Sequence, residues 1–445
     1  MKSQPQQHPE RFGVDYILEA DSEAEARRLA WEVCLEQTVE LPSTLEQVKD
    51  VESYVVGSIE RVEAVVAETN GCNNSHLFRV SIAYPNDTAG GELTQFLNVV
   101  FGNTSLKSGI AVESINLSPT LLSNREMFPG PRFGIHGLRA LLGIPENDDS
   151  SSSVPLLMTA LKPMGKSSQE FADMAYHLAR GGIDIIKDDH GLANQVWAPF
   201  EERVKLCAQA VQKANDETNQ RCIYAPCLNA PASKVMERAY YAKQVGAGAV
   251  LVLPGISGFD VIRELAADDN FGLPILVHPA LLGGWIQHHP TRSSTGQPDH
   301  PAGLSHEFLF GMLPRLCGGD VMIFPNTGGR FPLTPQECLA VASGCRRPLD
   351  RFEPIFPCPA GGMKLERMPE MRDMFGDDAF FLIGGGLMEH GPDLELDAQA
   401  FRVSAGRAAS CCVPHDTSIT NEDTQSSNDE TKLPTGESLR ENVTG

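Results

Sequence analysis

GGIDIIKDDHGLANQVWAPFEERV, residues 181–204, opens as an apolar strand and ends in Lys187, Asp188, Asp189 and His190. A buried strand that finishes in charged or metal-capable side chains is aiming them at something. The segment FEERVKLCAQAVQKA that follows has helical periodicity, which makes the stretch one strand–helix unit. The same rhythm runs from residue 154 to about 410. Eight short apolar runs are present: VPLLMTALKP, IDIIKDDH, CIYAPCLNA, AVLVLPG, PILVHPA, DVMIFPN, FEPIFPCPAGG and AFFLIGGG. Between them lie crossovers of helical length, including SQEFADMAYHLARGG, SKVMERAYYAKQVGA and TPQECLAVASG. Such crossovers imply a parallel sheet. Eight units closing on themselves form a (β/α)8 TIM barrel of ~250 residues. A doubly wound open sheet is the alternative reading.

Ahead of the barrel, the chain mixes strands and helices. FGVDYILEA, HLFRVSIAYP and GIAVESINLS read as strands, and SYVVGSIERVEAVVAE as a strand paired with HLFRVSIAYP. SEAEARRLAWEVCLEQ and ELTQFLNVVFGN read as helices. The predicted organisation is a disordered N-terminus over 1–11, an α+β ferredoxin-like domain over 12–135 and an α/β barrel over 136–410. A polar, linker-like break falls at 147–153, NDDSSSS. An acidic tail over 411–445, with seven acidic and two basic residues and few large apolar ones, is expected to be disordered.

The chain has 445 residues and a formal charge of -22. Such a surface repels phosphate backbones and anionic lipids, so neither nucleic acid nor membrane is an expected partner. No window reaches the ~18 apolar residues of a membrane span. The eleven cysteines lack paired CxxC spacing, and the first residues lack an apolar leader. Both features point to reduced thiols and a cytoplasmic location.

Chemistry in such barrels sits at the C-terminal strand ends. There the sequence places Lys162 after the first run, Lys187, Asp189 and His190 after the second, and Asn229 after the third. His278 follows the fifth run, and Asn326, Thr327 and Arg330 follow the sixth. The seventh and eighth end in PAGG (359–362) and IGGG (383–386). Glycines let backbone N–H groups surround an oxyanion, and loops seven and eight are the usual phosphate site of these barrels. Gly361, Gly362, Gly384 and Gly385 are therefore read as one phosphate cradle. GGGLMEHG lacks dinucleotide-binding spacing. Asp189 and His190 are two candidate metal ligands, few for Mg²⁺, which prefers octahedral oxygen donors. A buried Lys187 that added CO2 as a carbamate would supply another anionic oxygen. Each feature has a plainer reading: a surface charge, a hydrogen-bonded histidine, a tight turn.

The stretch 181–204 resembles the activation motif of the RuBisCO large-subunit superfamily, in which the Lys of K-D-D-E is carbamylated and binds Mg²⁺ with the second Asp and the Glu. CLEQTVE, FGNTS, FPGPRFGI, LKP, CPAGG, MPEMRDMFGDD and IGGGLMEHGPD follow in matching order, so the resemblance covers about residues 12–410. It implies an N-terminal α+β domain on a C-terminal barrel. It also implies a homodimer in which Glu36 and Asn103 reach the partner's barrel mouth. The metal set it implies is one Mg²⁺ on carbamylated Lys187, Asp189 and His190.

The departures from the carboxylases bear on function. His190 replaces the Glu, Arg330 the mobile-loop Lys, Pro279 an Arg, Ile323 or a neighbour a His, Ala360 a Ser and Met164 the second Lys of K-P-K. By the resemblance, these losses remove the second phosphate anchor and the carboxylation apparatus. One phosphate site, a metal site and a candidate base remain. FPNTGGRFPLTPQE looks like the form IV RuBisCO-like proteins, which do not fix CO2. The implied function is Mg²⁺-assisted enolisation of a keto-sugar or keto-acid monophosphate. Lys162 and His278 would be catalytic, and Arg330 would cap the phosphate. His190 and Pro279 lean the outcome toward decarboxylation or C–C cleavage. Isomerisation or enolisation of methylthio-pentulose phosphates in methionine salvage stays open, as does a catalytically silent binding or assembly protein. A class II-type aldolase would share the metal and phosphate logic but leave the N-terminal matches unexplained.

Overall fold

The computed structural model describes residues 9–65, 76–144, 154–287 and 300–406, except 392. The expected acidic tail, the polar break at 147–153 and residues 1–8 of the expected disordered N-terminus lie outside the described residues.

The first sheet contains β1 (Arg11–Glu19), β2 (Ser58–Ala64), β3 (Leu77–Pro85) and β4 (Ile110–Asn116), in the order β4-β1-β3-β2. All three pairings are antiparallel, and the order is that of a ferredoxin-like sheet. β1 explains why the sheet has one dry face. Phe12, Val14, Tyr16 and Leu18 alternate with more exposed residues, because side chains on a strand point to opposite faces in turn. Ala26, Ala30 and Val33 of helix Glu23–Glu36, and Phe96 and Val100 of helix Leu93–Phe101, join them in one core.

Three features of this sheet differ from the sequence expectation. The segment 53–68 is not a continuous strand: helix Glu46–Val55 occupies its start, and β2 begins at Ser58. Gly57 marks the change, since a Cβ there would lie 2.9 Å from the Tyr84 ring. The sheet also gains a fifth strand, β10 (Ala302–Leu304), which pairs parallel with β4 from within the stretch assigned to the barrel. β1 starts at Arg11, inside the stretch expected to be disordered.

The second sheet has eight strands: β5 (Leu156–Leu161), β6 (Ile185–Asp188), β7 (Ile223–Ala225), β8 (Val250–Val252), β9 (Ile275–Val277), β11 (Val321–Pro325), β12 (Phe356–Ala360) and β13 (Phe380–Ile383). Their order is β7-β6-β5-β13-β12-β11-β9-β8, all parallel. A parallel bridge from Cys227 to Leu251 joins the two ends, so the sheet closes into a barrel. The eight apolar runs of the sequence are these eight strands.

Alternation sorts each strand into an inner and an outer set. Leu156, Met158, Ile185, Leu276, Ile323 and Cys358 share the interior cluster. Leu157, Leu161, Ile186, Val277 and Phe324 belong to the cluster that includes the surrounding helices. Ile135, Leu138 and Leu142, from helix Gly134–Leu141 and its end, join the interior set. Asp320, just before β11, seats that helix by accepting from the N–H groups of Phe133 and Gly134 at 2.9 and 2.8 Å, and from Ile275 at 3.0 Å. All eight described cysteines are buried and free of disulfides. Among the described residues no helix is long and apolar enough to cross a membrane.

Candidate active site at the barrel mouth

The period of two decides where each polar group at the end of β6 goes. Ile185 points inward and Ile186 outward, so Lys187 and Asp189 follow the interior face and Asp188 the outer one. Asp188 is fully buried and satisfied. It accepts from Arg203 Nη2 at 3.1 Å and Nε at 3.3 Å, from Tyr224 OH at 2.7 Å and from the Cys227 N–H at 3.1 Å. Arg203 lies on helix Phe200–Thr218 and also donates to the carbonyls of Ala193 and Ala198. The buried pair thus ties down the loop that follows Asp189 and His190.

On the inner side, Lys187 is 2% exposed and donates to the Asp188 carbonyl at 3.0 Å. Burial lowers the proton affinity of its ammonium, and the Lys162 charge adds to this, while Asp189 opposes it. Asp189 Oδ1 lies 2.8 Å from Lys162 Nζ and 3.4 Å from His190 Nδ1. Burial works against the Asp189 charge. Hydrogen bonds from His190 and Lys162, with the charge of Lys187, outweigh it and hold the carboxyl well below the usual carboxylate range. β6 ends at Asp188, so His190 is free of the strand's alternation and can approach Asp189.

His278 follows β9 and stacks on His190, with centroids 4.5 Å apart and planes at 15°. Burial, then the charge of Lys187 and the nearby His190, keep its imidazole well below the usual range and therefore neutral at pH 7. Its Nδ1 accepts the Ala280 N–H at 3.2 Å, which leaves the proton on Nε2. Lys162, Lys187, Asp189, His190 and His278 are thus one connected group.

The glycine turns occupy neighbouring strand ends, since Ala360 pairs with Leu382. Gly361 and Gly362 have φ of +92° and +66°, a backbone that side chains resist. Gly384 caps the short helix Gly385–His390 and faces open space. A Cβ on Gly386 would come within 2.3 Å of the Met363 carbonyl, so the two turns touch. Arg330 is exposed on the loop after β11, and that loop lies against the first turn: a Cβ on Gly329 would be 3.2 Å from the Gly361 carbonyl carbon.

One expectation changes. Asn326 does not face the mouth. It is fully buried, and its Nδ2 lies 3.3 and 2.9 Å from the sulfurs of Met363 and Met371. The outward parity of Phe324 carries over to it. Asn229 meets Arg238 through its backbone carbonyl. Among the described residues no three His, Cys, Asp or Glu side chains converge as a metal site. Asp189 and His190 are two donors, and only a modified Lys187 makes a third.

Glu36 and Asn103 belong to the first sheet's side of the molecule and pair with each other at 3.2 Å. Among the described residues neither hydrogen-bonds to the mouth residues of its own chain. The residue that seats them was missed in the sequence: buried Gln37 accepts from Thr104 N and Oγ1 at 3.2 and 2.7 Å and donates to the carbonyls of Asn98 and Val99. It adjoins Glu36 in CLEQTVE, and that adjacency was the available signal.

Comparison with known proteins bears on this arrangement. Residues 140–292 match the family model for the ribulose bisphosphate carboxylase large chain, catalytic domain. The chain is 35% identical over 408 residues to a 5-methylthioribulose-1-phosphate isomerase of Rhodospirillum rubrum, covering 90% of this chain and 98% of that protein. It is 32% identical over 386 residues to a 2,3-diketo-5-methylthiopentyl-1-phosphate enolase of Bacillus velezensis, covering 86% of this chain and 88% of that one. A crystal structure of a Rubisco-like protein from Rhodopseudomonas palustris superposes with a TM-score of 0.73 at 33% identity, over 90% of this chain and 98% of that one. With a ferredoxin-like sheet, a closed eight-stranded barrel and relatives matched over nearly their full length, the chain belongs to the RuBisCO large-subunit superfamily, as a RuBisCO-like protein.

Proposed function

We propose that the protein is a non-carboxylating RuBisCO-like enzyme that enolises a keto-sugar monophosphate by moving a proton at the carbon beside the carbonyl. The observation that carries this reading is the connected group Lys162, Asp189, Lys187, His190 and His278 at one barrel mouth. Lys162 is assigned the proton transfer, with Asp189 as the anion that offsets its charge. Neutral His278, with Nδ1 occupied by a backbone N–H, presents Nε2–H as a donor to a substrate oxygen. Gly361, Gly362, Gly384 and Gly385 are assigned to the phosphate, and Arg330 is assigned to cap it.

Carbamylated Lys187, Asp189 and His190 would hold Mg²⁺, a set that fits the donor chemistry because the carbamate supplies the third ligand and a buried amine of lowered proton affinity adds CO2 readily. When bound, the ion polarises the carbonyl and stabilises the negative charge of the enolate. Glu36 and Asn103 are assigned to the mouth of a second subunit, since they form a preset pair that, among the described residues, makes no hydrogen bond to their own.

By name, one relative is an isomerase of 5-methylthioribulose 1-phosphate and another an enolase of 2,3-diketo-5-methylthiopentyl 1-phosphate. Return of the proton to carbon, giving an isomer or tautomer, is therefore the first outcome to test. His190 at a ligand position and Pro279 beside His278 favour decarboxylation as the second. The test is incubation in D2O with 5-methylthioribulose 1-phosphate and its 2,3-diketo relative, with Mg²⁺ and bicarbonate. Deuterium at the carbon beside the carbonyl is expected, and loss of that signal on removing Mg²⁺ or CO2. No exchange with either compound or with other phosphorylated ketoses and keto acids would leave a binding or assembly role.

A further inference from the structure

Arg367 lies on the turn before helix Met368–Phe375 and holds two of the loops at the mouth. Its Nη1 donates to the carbonyls of Thr327 at 2.9 Å and Gly362 at 3.1 Å, and its Nη2 to Thr327 Oγ1 at 3.0 Å. Nε and Nη2 also meet the Glu370 carboxylate at 3.1 and 3.0 Å. Thr327 opens the loop that carries Arg330. Gly362 is the second glycine of the turn after β12. The two backbones run too close for side chains: a Cβ on Gly362 would be 2.9 Å from the Gly328 carbonyl carbon, and one on Gly328 2.9 Å from Arg367 Nη1.

We propose that Arg367 is a positioning residue that latches the base of the Arg330 loop to the Gly361–Gly362 turn, fixing the loop and the anion-binding turn as one unit. Its claim on phosphate binding rests on the cradle reading of that turn. The physical route is the peptide plane. A carbonyl held on the guanidinium turns the N–H of the same peptide bond to the opposite side. Holding the Thr327 and Gly362 carbonyls therefore aims the Gly328 and Met363 N–H groups away from Arg367. A lysine cannot repeat this, because one ammonium lacks the planar fork that meets three acceptors and a carboxylate together.

Two readouts test the latch on the full-length protein. The first is the rate of tryptic cutting at the Arg330–Phe331 bond, read by mass spectrometry, which needs no substrate. The second is binding of inorganic phosphate by titration calorimetry. Arg367→Met is expected to speed cutting and weaken phosphate roughly tenfold each, the order set by losing charge-assisted hydrogen bonds. Arg367→Lys should recover part of both. Wild-type rates and affinity in Arg367→Met would overturn the proposal, and faster cutting with unchanged affinity would overturn its claim on the cradle. If Arg367→Met does not fold, Thr327→Val, which removes one acceptor and keeps the shape, decides by cutting alone: about threefold faster supports the latch, no change sinks it. Failure of the wild-type protein to bind phosphate would count against the cradle reading and leave the cutting test standing.

Discussion

Asp188 and Asp189 are neighbours of one type with opposite jobs, and the period of a β-strand separates them. Asp188 turns outward to a fully buried Arg203; Asp189 turns inward to Lys162. Asp188→Ala leaves the guanidinium buried without its anion, so a loss of about 3–5 kcal/mol is expected, read from denaturant midpoints. Asp189→Asn should keep the Asp188–Arg203 pair and remove deuterium exchange. An Asp188→Ala variant as stable as wild type would refute the assignment of the pair. At this scale the sequence was legible where the period of two applies: Lys187, Asp189 and His278 follow from the strands they end. It was not legible for partners brought in by folding. Nothing local to Asp188 names Tyr224 or Cys227, and nothing local to Gln37 names Thr104, 67 positions away.

Elements were legible in proportion to their pattern. The eight barrel strands are short apolar runs separated by periodic helices, and all eight appear where expected. β10 has only three residues, Ala-Gly-Leu, with no alternation to detect; the open edge of β4 makes it a strand. Helix Glu46–Val55 was hidden by valines that favour strands, a preference overridden by packing. Helix Gly134–Leu141 depends on Asp320, whose carboxyl burial pushes up to about 6 from its ordinary 3.8 against the pull of three backbone N–H groups. The folded state then holds the proton more tightly than the unfolded chain. The stability this group contributes is full below about pH 4 and is lost as pH rises to about 6. Relative to Asp320→Asn, which does not titrate, wild-type stability should fall by about 2–3 kcal/mol across that window in urea unfolding at each pH. A difference that stays flat, or rises, would contradict the shift.

For the whole molecule, the ordered motifs made the family and the two-part architecture readable, because they span nearly the full length of the relatives. Subunit sharing is not readable from one chain, where among the described residues the Glu36–Asn103 pair and the mouth residues make no hydrogen bond to each other. If the pair completes a partner's site, Glu36→Gln and Lys187→Met should each be inactive alone. Mixed with subunit exchange, they should recover about a quarter of wild-type activity, since half the dimers then carry one intact site of two. No recovery in a mixture shown to form heterodimers would place the whole site in one subunit. Beneath every assignment lies the claim that the barrel mouth removes a proton from carbon. Proton NMR of 5-methylthioribulose 1-phosphate in D2O with Mg²⁺ and bicarbonate reads that step directly. Loss of the signal beside the carbonyl with the wild-type protein, and its persistence with Lys187→Met, is the result expected; equal rates with and without Lys187 would contradict the account.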